Sequence, residues 1–115
     1  MPMPTRFLTV SFLAAAGCVS TLAPAIANDT GFAQTTHDTR REGGKLCVLG
    51  HTHGGTGEGG TKNVALIAAV KVYVDTTRDE YGSDWASWAK AGSKSITYAK
   101  TADGWTARVE GRPCR

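Results

Sequence analysis

The sequence predicts a small α+β domain: a three-stranded antiparallel sheet packed on one long, bent helix and closed by a single disulfide. Apolar residues recur at helical spacing through the middle of the chain, and two alternating strand patterns joined by a turn follow them. Cys47 and Cys114 lie at the two ends of this region. The predicted order of elements is β-α-β-β.

The first predicted strand begins at residues 46–49 and continues to Thr52 or His53. Five of the next seven residues, 54–60, are glycines. Because glycine has no side chain to restrict its backbone, this run predicts a mobile connecting loop.

The predicted helix follows the glycine run, with Thr61 as its N-cap. One face carries residues spaced by three or four positions over about six turns. Gly82 is expected to bend or break the helix, with Ser83 capping a second piece that ends at residues 91–92. The residues predicted to face the sheet are Ile67, Val70, Val74, Thr77, Tyr81, Trp85 and Trp88.

Two more strands are predicted at residues 94–100 and 105–111, joined by a turn that contains Asp103-Gly104. Large aromatic side chains on the helix and on the last strand are typical either of a sugar- or peptide-binding face or of a core. A domain this small needs large side chains in its core, which favours the second interpretation. The predicted core aromatics are Tyr81, Trp85, Trp88 and Trp105.

The cysteine pattern predicts one disulfide, between Cys47 and Cys114. The two residues meet if the first and last strands are antiparallel neighbours. A bond between them closes a loop of almost seventy residues, which stabilises the fold by about 4 kcal/mol in the chain-entropy account. A redox role would need a close Cys-x-x-Cys, which this sequence lacks.

Residues 1–27 have the features of a secretory signal peptide. Arg6 precedes an apolar run at residues 7–17, and Ala25-Ile26-Ala27 offers a cleavage site. The run is too short to span a bilayer permanently, so the mature protein is expected in the periplasm or outside the cell. An alternative interpretation makes Cys18, in Ala-Ala-Gly-Cys, the site of a lipid anchor.

The mature chain is expected to divide into two parts. Residues 28–45 are polar and predict a disordered tether, and residues 46–115 predict the disulfide-closed domain. The whole chain has 13 basic and 10 acidic residues, a formal charge of +3. Charges of both signs are interspersed, so the sequence predicts no surface for nucleic acid. It also contains no catalytic signature, so no enzymatic activity is predicted.

A His-x-His pair, His51 and His53, is the most suggestive candidate site. Alternate residues of an extended strand point to the same side, so both imidazoles can face one Zn²⁺ or Cu²⁺ ion. Glu58 or His37 is a candidate to complete the coordination shell from a flexible segment. The alternative is a solvent-exposed pair at the end of a strand.

Several short motifs resemble features of small secreted bacterial proteins without assigned function. They are residues 80–85 (EYGSDW), Gly104-Trp105 and the ending Arg112-Pro113-Cys114. The resemblance covers roughly residues 46–115 and implies a domain but no activity. The leading hypothesis is therefore a non-enzymatic binding module with a protein or small-ligand partner. The alternatives are a Zn²⁺- or Cu²⁺-binding protein and an inhibitor that presents the glycine run to an exported enzyme.

Overall fold

A computed structural model describes residues 17–18 and 28–115 of the chain. Apart from Gly17 and Cys18, the predicted signal peptide lies outside the described residues, as does its cleavage site. Cys18 is an exposed free cysteine. Within the described ranges, no helix has both the length and the apolar character that crossing a bilayer requires.

A twenty-residue helix, α2 (Lys62–Tyr81), packs across one face of a three-stranded antiparallel sheet. The strands lie in the order β3 (His53–Gly59), β5 (Trp105–Arg112) and β4 (Gly92–Lys100), and α2 packs mainly against β3 and β5. The predicted fold class is confirmed. The predicted hairpin is also confirmed, because β4 and β5 pair from Gly92↔Arg112 to Lys100↔Trp105.

The glycine-rich run is strand β3, not the mobile loop that its composition predicts. It pairs with β5 along its whole length, and its alternate residues face α2. A Cβ atom at Gly57 would lie 2.6 Å from the carbonyl oxygen of Ala65, and one at Gly59 would lie 2.7 Å from the Ala65 nitrogen. The glycines therefore allow the helix backbone to approach the strand, and the run does not form an exposed loop that an inhibitor would present.

The buried face of α2 agrees only in part with the predicted one: Thr77 and Tyr81 are fully buried, and Val70 and Val74 are partly buried against the core. Thr61 is the N-cap as predicted, and its side chain accepts a hydrogen bond from the Val64 N–H at 3.2 Å. Ile67, predicted to face the sheet, is 63% exposed. Alanines occupy the inner face only where the helix backbone approaches the glycines of β3, at Ala65 and Ala69. The buried positions are Ala65, Ala69, Tyr73, Thr77 and Tyr81.

The helix ends at Tyr81 because Gly82 adopts a φ of 101°, which favours glycine. A single 3-10 turn follows at Ser83–Trp85, and its N-cap is Gly82 without a side-chain cap, so the predicted second helical piece capped by Ser83 is absent from the described chain. Tyr81 and Trp85 are fully buried. Two predicted core aromatics, Trp88 and Trp105, are only partly buried, and the fully buried Tyr73 is an addition.

The segment predicted as a disordered tether contains regular structure. A short helix, α1 (Phe32–Thr36), is followed by strand β1 (Thr39–Glu42), which pairs with β2 (Lys45–Val48). The polar sequence is ordered by this backbone pairing and by the burial of Ala33 in a small core with Val48, Tyr81 and Trp85. The first predicted strand thus belongs to a separate two-stranded sheet, and β3 takes its place beside β5.

The disulfide joins Cys47 and Cys114 as predicted, with their Cα atoms 4.1 Å apart. The two residues also form an antiparallel backbone bridge, so the chain after β5 lies beside β2. The disulfide therefore attaches the two-stranded sheet to the end of the three-stranded sheet. This is the end of the molecule where α2 finishes and the candidate site lies.

Candidate metal centre

All three histidines of the chain lie in one cluster. His37 follows α1, His51 precedes β3, and His53 is the first residue of β3. The rings of His37 and His51 are stacked with centroids 4.6 Å apart, and those of His51 and His53 meet edge to face at 5.0 Å. The predicted His-x-His pair is therefore close in space, although only His53 belongs to the strand.

Glu80 joins this cluster from the last turn of α2. Its Oε2 atom lies 2.9 Å from Nε2 of His53. One potential ligand atom from each of His51, His53 and Glu80 lies within 4.8 Å of the other two. Sequence analysis missed Glu80 because nothing in the sequence shows which turn of the helix faces the start of β3. Its position three residues after the buried Thr77 is the one local indication.

Thr77 determines which nitrogen of His53 carries a proton. The Thr77 hydroxyl donates to the carbonyl oxygen of Tyr73 at 2.7 Å, so its hydrogen is already used. With that hydrogen used, the hydroxyl oxygen is placed to accept from Nδ1–H of His53, which lies 2.8 Å away. In the neutral ring the lone pair is therefore on Nε2, the atom that faces Glu80. A hydrogen bond at the far ring nitrogen is the usual way in which a metal-binding histidine is oriented.

The surroundings of His53 favour its neutral form, in which the lone pair of Nε2 can bind an ion. Burial lowers the pKa of His53, and the attraction of the Glu80 carboxylate offsets only part of this effect. Only 4% of the His53 side chain is exposed, yet Nε2 has no hydrogen-bond partner among the described residues. The Glu80 carboxylate lies 2.9 Å from it. A neutral nitrogen and a carboxylate oxygen repel each other at this distance, and either a proton on Nε2 or a metal ion between the two atoms removes that repulsion.

The separation of the two atoms is close to that of two ligands on one ion. With metal–ligand bonds of about 2.05 Å, two ligand atoms are about 2.9 Å apart at a right angle and about 3.3 Å apart at the tetrahedral angle. Nε2 of His53 and Oε2 of Glu80 are 2.9 Å apart. These two atoms can therefore bind one small cation with little movement.

The two residues named from the sequence as further ligands have different positions. Glu58 is exposed near the far end of β3, five residues from His53, which is about 17 Å along an extended strand. It does not belong to the cluster. His37 stacks on His51 but lies outside the group of ligand atoms that are within 4.8 Å of one another.

A second group of ligand-type residues, Glu42 with Cys47 and Cys114, is not a metal site. Its two sulfur atoms are joined in the disulfide, so they are not free to bind an ion as thiolates. The Glu42 carboxylate is paired with Arg112 and Arg40, each at 2.8 Å.

Comparisons with protein-family models, with curated proteins and with solved structures each find no match to this chain.

Proposed function

We propose that this protein is an exported, non-enzymatic binding module whose ligand is a divalent transition metal ion, Zn²⁺ or Cu²⁺. The ligands are His51, His53 and Glu80. The observation that carries the proposal is the buried, unpartnered Nε2 atom of His53, 2.9 Å from a carboxylate oxygen. In a native structure a buried polar atom without a partner needs an explanation, and an ion between these groups supplies one.

The donor set supports the choice of metal. Imidazole nitrogens suit Zn²⁺ and Cu²⁺, whereas Ca²⁺ and Mg²⁺ take oxygen ligands. Thr77 and the Tyr73 carbonyl fix the orientation of the His53 ring from the side away from the ion. Such outer contacts are typical of metal-binding histidines.

The aromatic surroundings favour binding over catalysis. The Tyr81 ring stacks on His53 with centroids 4.8 Å apart, and His37 covers His51. A catalytic ion needs an open position that a substrate can reach. Rings on both sides of the cluster restrict that approach.

Two observations support export. Residues 1–27 have the features of a signal peptide, and the disulfide between Cys47 and Cys114 belongs in an oxidising compartment. An exported protein would therefore bind its metal ion outside the cytoplasm.

Isothermal titration of the exported, oxidised protein with Zn²⁺ and Cu²⁺ tests the proposal. We expect one site with a Kd below about 10 μM, a binding free energy of about −7 kcal/mol. His53→Ala should abolish this binding, and Glu80→Gln should weaken it at least about tenfold.

The matched control is Glu58→Gln, which removes the same charge from an exposed position at the far end of β3. It should bind as the native protein does. Absence of binding in the native protein, or equal binding by His53→Ala, would overturn the proposal. Near-ultraviolet circular dichroism of each variant establishes that it is folded.

A further inference from the structure

The segment that carries His37 crosses the metal centre as a strap, defined here as residues 28–38. It enters beside the end of α2, where the Asn28 carbonyl accepts a hydrogen bond from the Asp84 N–H at 2.8 Å. It then passes over Tyr81, whose ring lies 6.3 Å from that of Phe32 and 6.0 Å from that of His37. The strap therefore covers one side of the cluster.

The first half of the strap is attached to the helical turn that supplies Glu80. The Thr30 N–H donates to the Tyr81 carbonyl at 3.0 Å, and the Thr30 hydroxyl donates to the Glu80 carbonyl at 2.9 Å. Both bonds use carbonyl oxygens at the C-terminus of α2, where helical partners are missing. The position of the strap and the position of a proposed ligand are thus coupled.

The second half is attached to the segment that supplies the two other histidines. The carbonyl oxygen of Asp38 accepts a hydrogen bond from the Leu49 N–H at 2.8 Å. This contact lies one residue after His37 and two residues before His51. It keeps the segments that carry the two rings side by side, and the rings stack with an interplanar angle of 17°.

We propose that His37 is the fourth metal ligand, and that the position of the strap controls whether the ion is retained or released. This inference rests on the proposed metal site. With three protein ligands a tetrahedral ion keeps one open position, whereas a third imidazole closes the shell. An imidazole binds a metal along its ring plane, so His37 must turn out of its stack on His51 to reach the ion.

The histidine content of the chain supports this assignment. The chain has three histidines, and all three lie in this cluster although they come from two separate segments. The strap itself is polar, and Ala33 is its one fully buried apolar residue. A metal bond at His37 would add to the hydrogen bonds that hold the strap in place.

The decisive variant is His37→Phe. Phenylalanine keeps an aromatic ring that can stack on His51, but it has no nitrogen to offer the metal. We expect it to weaken Zn²⁺ binding at least about tenfold and to speed Zn²⁺ release to excess EDTA by a similar factor. The control is Thr36→Ala, an exposed change one residue away, which should leave both quantities unchanged.

Hydrogen exchange supplies a second readout. Zn²⁺ should slow amide exchange in residues 28–38 of the native protein but not in His37→Phe. If His37→Phe binds and releases Zn²⁺ as the native protein does, His37 is only a stacking partner and the inference is wrong. In that outcome a loss of binding by His53→Ala still supports the proposed function. If the native protein binds no Zn²⁺ or Cu²⁺, both proposals fail together.

Discussion

The two halves of α2 meet the sheet in opposite ways. The N-terminal half presents Ala65 and Ala69 to bare glycines, so two backbones pack directly on each other. The C-terminal half presents Tyr73, Thr77 and Tyr81 to the His53 imidazole. The first half is built for close apolar packing, whereas the second half places polar groups where water cannot reach them.

Burying polar groups near the C-terminal half of α2 lowers the stability of the fold. In the described chain, the buried side-chain atoms without a hydrogen-bond partner are Nε2 of His53, the hydroxyls of Tyr73 and Tyr81, and Nε1 of Trp85. Each such atom costs about 1–3 kcal/mol. Burial also raises the pKa of Tyr73 and of Tyr81 to about 12. A protein retains such costs where function requires them.

The largest expected effect comes from removing the disulfide. This bond lies near the polar end of the molecule, where Tyr73, Thr77 and Tyr81 surround His53. The double variant Cys47→Ala/Cys114→Ala should lose about 4 kcal/mol of unfolding free energy, because the unfolded chain gains the freedom of a loop of almost seventy residues. Urea unfolding of the oxidised native protein and the variant measures the difference. A loss below about 1 kcal/mol would mean that the polar end does not depend on its covalent link.

At the apolar end, where Ala65 and Ala69 pack against the glycines of β3, one added methyl group should strongly destabilise the fold. Gly57→Ala should cost about 3 kcal/mol, since its Cβ would meet the helix backbone 2.6 Å from the Ala65 carbonyl oxygen. Gly60→Ala is the matched control, because a Cβ there has nothing within 4 Å, and it should change stability by less than about 0.5 kcal/mol. Equal thermal denaturation midpoints for the two variants would contradict the proposed backbone packing.

At the polar end, a substitution that destroys the site should change the stability of the metal-free protein only slightly. His53→Phe keeps an aromatic ring against Tyr81 and removes the unpartnered Nε2, but it also removes the hydrogen bond between Nδ1 and Thr77, so we expect a net change within about 1 kcal/mol together with loss of Zn²⁺ binding. Urea unfolding in the presence of EDTA measures the change. Destabilisation by more than about 1 kcal/mol would show that the imidazole supports the fold by itself.

A smaller effect concerns the ion pair that links the two sheets. Hydrogen bonds from Arg112 and then from Arg40 lower the pKa of Glu42 from 4.5 to about 2. Because the folded pKa is the lower one, the contribution is complete above about pH 4.5 and is lost as the pH falls towards 2. Glu42→Gln should therefore show a weaker decline in stability across this range than the native protein. Parallel pH profiles would contradict the role of this pair.

The same comparison explains what the sequence could predict. The hairpin, the Thr61 cap and the disulfide depend on local turn chemistry or on residue type, and all three are confirmed. Strand β3 was missed because a glycine run locally indicates flexibility, whereas here the small size of Gly55 and Gly57 allows contact with helix residues eight or more positions away. Glu80 was missed for a related reason: its role depends on the register between α2 and β3, and its spacing of three residues from Thr77 does not specify that register.

An anomalous difference map of crystals of the oxidised protein, grown with one equivalent of Zn²⁺ and measured at the zinc edge, tests the central claim most directly. If the proposed metal site exists, we expect one strong peak within about 2.2 Å of both Nε2 of His53 and a carboxylate oxygen of Glu80. Zinc bound elsewhere, with His53 and Glu80 as they are without it, would contradict the account.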